Sequence, residues 1–220
     1  MGFRTRCGWG TIAALLCGAM LWAATGANAQ EVRVLVYNTA KVPNGIVAQA
    51  GREAARIFSD ARIQLIWVNC SGRESSGACS VTAEGQELIL HIIPKGKVST
   101  DSVYGEAFLA ADGVGKYADV FYDRIQQAQR ALDVNPSVLL GAVSAHEIGH
   151  LLLGLRAHSW MGIMAPVWRK ESFRDLQMGQ LFFGRDQAAQ LRERCQQDAG
   201  WIVNPTSRKG TRLAGWNGNP

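Results

Sequence analysis

The chain has 220 residues, of which 47% are hydrophobic and 19% charged, with mean hydropathy near zero and a formal net charge of +5. That is an ordinary globular balance, and it excludes wholesale disorder, a collagen-like repeat and a multi-span membrane protein. The charge is not gathered into a basic block, so no nucleic-acid partner is expected, and the length suits one domain with a sizeable core.

The first 29 residues read as an address. Arg4 and Arg6 precede an apolar run from Thr11 to Ala24, and Ala27-Asn28-Ala29 is a small-x-small cleavage site. A secretory signal peptide over 1–29 is expected, with a secreted or periplasmic product. The apolar run is short for a membrane span, so no stable span is expected after cleavage. Export permits a disulfide between Cys70 and Cys79, which flank a short polar loop, and leaves Cys195 as a buried thiol on a C-terminal helix.

Downstream, Val32–Tyr37 alternates and is β-rich, so a strand is expected there. Pro43-Asn44 opens a helix to about Asp60, with Ile46, Val47, Ala50, Ala54, Ile57 and Phe58 at helical spacing. Further strands are expected over Gln64–Val68, Glu87–Ile93, Val103–Ala110 and Tyr117–Arg124, the last two parted by the turn cluster Asp112-Gly113-Val114-Gly115. A long apolar helix follows from Asn135 to Leu153, and a last helix from about Arg185 to Gln196. Residues 200–220 are rich in Gly, Asn, Pro and Arg and read as a flexible tail. The order predicts an α+β fold: a twisted mixed sheet packed with an active-site helix, a backing helix and a C-terminal helix.

The helix from Asn135 carries the chemistry. Asn135 is a good N-cap, Pro136 a good first helical residue, and Gly154 a good stop. Between them Glu147 is the only formally charged residue in an otherwise apolar run. A lone buried carboxylate is costly, so its presence needs a cause. His146 and His150, four residues apart, stand one turn apart on one face, where both imidazoles can meet one metal ion. Glu147 is about 100° further round, near the ion but free to act as a base. Zinc suits such donors, staying four-coordinate with one open position. A third ligand must come from elsewhere, and His91 and His158 are the remaining histidines.

His146-Glu147-Ile148-Gly149-His150-Leu-Leu-Leu-Gly154-Leu-Arg-Ala-His158-Ser159, followed by Ile163-Met164-Ala165-Pro166, resembles the metzincin zinc metalloendopeptidases, most closely their matrixin-like branch. The spacing is a variant, H-E-x-x-H-x7-H, with glycine four residues after His150. The resemblance implies Zn2+ held by His146, His150 and His158, Glu147 as general base, and Met164 in a turn beneath the metal. It implies a metzincin-like protease domain over 30–199 acting on a peptide or protein substrate. It also implies an edge strand that takes extended peptide by strand addition, for which Tyr104–Ala110 is the candidate. His91 stays open as the alternative third ligand. Tyr104, Tyr117 and Tyr122 are candidates for stabilising an oxyanion, and Trp160 and Trp168 flank the methionine turn. The contrasting reading is a secreted zinc-binding scaffold or binding module without turnover.

Overall fold

The computed structural model describes residues 30–71, 78–80, 87–96 and 103–203, with side chains to residue 196. The expected signal peptide therefore lies outside the described residues, as does the tail from 204 onward.

Alternating apolar residues build β1 (Gln30–Asn38), β2 (Ile63–Asn69) and β3 (Leu88–Ile93), all parallel, joined in the first case by α1 (Asn44–Asp60). A parallel pair needs such a crossover, and α1 supplies it. β4 (Gly105–Phe108) and β5 (Tyr117–Phe121) complete a five-stranded sheet of order β2-β1-β3-β5-β4. β4 is the edge strand and the only antiparallel member. It is shorter than the expected Val103–Ala110, because Ala110 turns away to bond with Val114 and Gly113.

Tyr117–Arg124 is not one strand. The chain turns helical at Tyr122 and forms α2 (Tyr122–Leu132), with Asp123 in its first turn and Ile125 and Ala128 buried. α3 (Pro136–Leu153) begins as expected: the Asn135 side chain accepts from Ser137 and Val138 amides, and Gly154 ends it at φ 84°. α4 (Lys170–Gln177) is a further helix not anticipated from the sequence, and α5 (Arg185–Val203) runs past Gln196.

One sheet face is the core. Val34, Val36, Leu90, Ile92, Ala118 and Val120 point from it toward α1 and α3, and all six are fully buried. α3 is long and apolar enough to cross a membrane, yet 72% of it is buried inside the protein. Its polar interruption, His146 to His150, is thus carried on the central element of the fold, beneath the β4 edge.

Candidate metal centre

His146, Glu147 and His150 come from the last two turns of α3, and His158 returns from the loop after Gly154. The His150 Nε2 lies 3.1 Å from the Nε2 of His146 and 3.1 Å from that of His158. Ligand atoms of all three lie within 4.8 Å of one another. Hydrogen bonding among the rings does not account for this convergence. The His146 Nδ1–H donates to the Ile163 carbonyl at 2.7 Å, which leaves its Nε2 a bare acceptor. A single His150 proton cannot serve both neighbours. By contrast, nitrogens about 2.0–2.1 Å from a tetrahedral zinc stand about 3.3 Å apart, close to the observed separations. The donor set fits a divalent ion such as zinc.

Burial keeps the imidazoles neutral, the form that ligates. It lowers His146 to about 4 and His150 to about 3, and lowers His158 also. Glu147 is 5% exposed and is pushed up to about 8, by burial first and then by the charge of Glu106. Its neighbour across the cleft edge is the backbone of Gly105, where a β-carbon would stand 2.7 Å from the Glu147 Cγ and Oε1. The room beside Gly105 is thus taken by the Glu147 side chain.

Met164 is fully buried, its Sδ against α3 at Gly149, between the two helical histidines. Its role is packing under the site. The Ile163 carbonyl beside it also accepts from Trp168 Nε1 at 3.2 Å, and the Trp168 ring stands edge-on to His146 at 6.0 Å between centroids. No residue type signals a carbonyl acceptor, so sequence reasoning did not find it.

His91 lies elsewhere. It projects from the sheet face opposite Leu90 and Ile92, and its Nδ1 is 2.7 Å from the Tyr117 hydroxyl. Tyr117 goes with it, away from the cleft. Tyr104 is the one candidate tyrosine that lines the cleft, stacked near Trp168 at 6.3 Å. Trp160 is 89% exposed and does not line it. Cys70 and Cys79 are joined as a disulfide, and Cys195 is buried on α5.

The cleft runs between β4 on one side and His158, Ala165, Pro166 and Trp168 on the other, with the three histidines and Glu147 on its floor. No protein-family model and no curated protein matches the chain. Among solved structures it is similar to a zinc-dependent peptidase from Methanocorpusculum labreanum, at 18% identity over 72% of this chain and 99% of that one, with TM-score 0.49. It is also similar to archaemetzincin from Methanopyrus kandleri, at 14% identity over 77% of this chain and 98% of that one, with TM-score 0.47.

Proposed function

We propose that this chain is a zinc-dependent metallopeptidase of metzincin type with a matrixin-like motif, exported by its first 29 residues and hydrolysing peptide bonds. One observation carries the reading: three neutral imidazoles converge at zinc-like spacing with an unligated, buried carboxylate beside them, under an open cleft bounded by an edge strand. His146, His150 and His158 would hold the ion, which when bound supplies a Lewis acid for the scissile carbonyl and acidifies water. Glu147, beside the three histidines on the cleft floor, takes a proton and returns it to the leaving amine. Trp168 walls the cleft opposite β4, and Tyr104, next to Gly105 at the start of β4, stacks near it at 6.3 Å between centroids. The outer edge of β4, unpaired among the described residues, offers backbone groups to an extended peptide.

A zinc-bearing scaffold has no use for a base in this position, and the open cleft supports turnover over that reading. The test is digestion of a broad peptide library with and without chelator, alongside Glu147→Gln. The expected result is chelator-sensitive cleavage that Glu147→Gln abolishes while one zinc per chain is retained. Cleavage that persists in the variant removes Glu147 from the mechanism; a library left intact by the zinc-loaded protein refutes the peptidase reading.

A further inference from the structure

The sheet face turned away from α1 and α3 carries one polar row across four strands. The register sets Tyr37 beside His91, His91 beside Asp119, and Asp119 beside Glu106. Two carboxylates directly opposite each other on neighbouring strands repel, so the last pair calls for a compensating cation. Within the row the His91 imidazole stands beside Asp119, and no lysine, arginine or histidine stands beside Glu106. Tyr117 hydrogen-bonds to Asp119 and lies 2.7 Å from His91, which accounts for one carboxylate oxygen. Among the described residues the Asp119 Oδ1 has no hydrogen-bond partner, although the residue is 5% exposed. Glu106 is exposed on the edge strand, lines the cleft, and makes no ion pair among the described residues. Glu106 is thus an exposed carboxylate at the strand edge open to substrate, with a second, buried carboxylate beside it, and the pair favours positive charge in a strand added there.

We propose that Glu106, backed by Asp119, selects peptides with lysine or arginine at the position that pairs with Glu106 when substrate adds to β4. The inference rests on the peptidase reading for its ligand. A strand added to β4 puts one residue directly across from Glu106 with its side chain on the same sheet face. Two strand spacings, about 9.6 Å, separate that residue from Asp119. A lysine or arginine side chain lying along Glu106 brings its charged end to that carboxylate, within the field of Asp119 behind it, whereas an apolar side chain leaves Glu106 uncompensated. Because Gly105 lies over Glu147, the selected residue sits close to the scissile bond. Among the described residues that line the cleft, no lysine or arginine competes for Glu106.

The experiment uses peptides that differ only by Lys, Arg, Leu or Glu at each position flanking a cleaved bond. They are measured for kcat/KM with the zinc-loaded protein and for Kd with its Glu147→Gln variant. At one position Lys and Arg should exceed Leu by about tenfold in both quantities, with Glu worse than Leu. Glu106→Gln should reduce that preference to within about twofold, and Glu106→Lys should invert it toward Glu. Glu106 is exposed, so neither replacement threatens folding. Equal values for Lys and Leu at every position overturn the proposal, as does a preference that survives Glu106→Gln, while cleavage itself keeps the peptidase reading intact. Basic peptides bound in a Glu106-dependent way but left uncut support the charge selection and refute the peptidase reading. Peptides neither bound nor cut refute both.

Discussion

Gly105 and Glu147 meet with no space between them: the missing β-carbon of the glycine would overlap the Cγ and Oε1 of the carboxylate at 2.7 Å and the Asp119 carbonyl at 2.8 Å. Gly105→Ala must therefore shift either β4 or Glu147, the proposed base. An enzyme's reacting groups tolerate little displacement, and misplacement by about 1 Å costs on the order of 100-fold in rate. We expect kcat/KM to fall by that order while zinc content stays at one per chain and Tm drops only by a few degrees. Steady-state kinetics beside metal analysis checks this.

His158 stands with the helical pair and His91 with Tyr37 and Tyr117. His158→Ala should lower zinc affinity by at least 10-fold to 100-fold, the range seen even for the loss of outer partners of metal ligands. His91→Ala should leave zinc at one per chain and cost about 1 kcal/mol of stability through the lost Tyr117 contact. Competition with a chromogenic chelator separates the two variants.

In the metal-free protein the pH profile of stability has a definite shape. His146 and His150 titrate at about 4 and about 3 when folded but at 6.5 when unfolded, and His158 is shifted the same way. Their contribution is present above pH 6.5 and lost as pH falls toward 4, because the unfolded chain then binds protons the folded one cannot. Glu147 is shifted oppositely, from 4.5 to about 8, so its contribution is present below pH 4.5 and lost as pH rises through 8. Between 4.5 and 6.5 three imidazoles outweigh one carboxyl, and above 6.5 the carboxyl acts alone. Thermal unfolding of chelated protein from pH 4 to 9 should show a maximum near 6.5. A plateau from 6.5 to 9 would mean that Glu147 ionises normally.

Gly149 is in contact with Met164, and an added β-carbon would stand 2.6 Å from Sδ and 3.0 Å from the ring of Phe183. Gly149→Ala should destabilise by about 1–3 kcal/mol through overpacking, despite the better helix propensity of alanine. Gly149→Ala combined with Met164→Ala should cost less than the sum of the two single changes, as a double-mutant cycle by denaturant unfolding would show.

The motif helix was legible because its signals are local. Asn135 and Pro136 cap it, Gly154 stops it, and the three polar groups of His146, Glu147 and His150 interrupt an apolar run at one-turn spacing. α2 was missed although Ile125 and Ala128 stand three residues apart among good helix formers. The β-rich residues just before Tyr122 masked the change of period. α4, with only Phe173 and Leu176 buried, is too short for a periodic signal. The choice between His91 and His158 was not legible for a different reason. Leu88–Ile93 is apolar at every position but His91, so no alternation tells which way the histidine faces; the pairing with β1 and β5 decides it. Glu106 and Asp119 are thirteen residues apart in sequence, and only the antiparallel register makes them neighbours.

The acceptor that orients His146 is the main-chain oxygen at position 163, shared with the Trp168 indole. Any amino acid placed there would present the same oxygen. Alanine scanning across that turn will therefore pass over the tether entirely, and only a substitution that redirects the peptide plane, or an ester in place of the amide, would expose how tightly the ring is held.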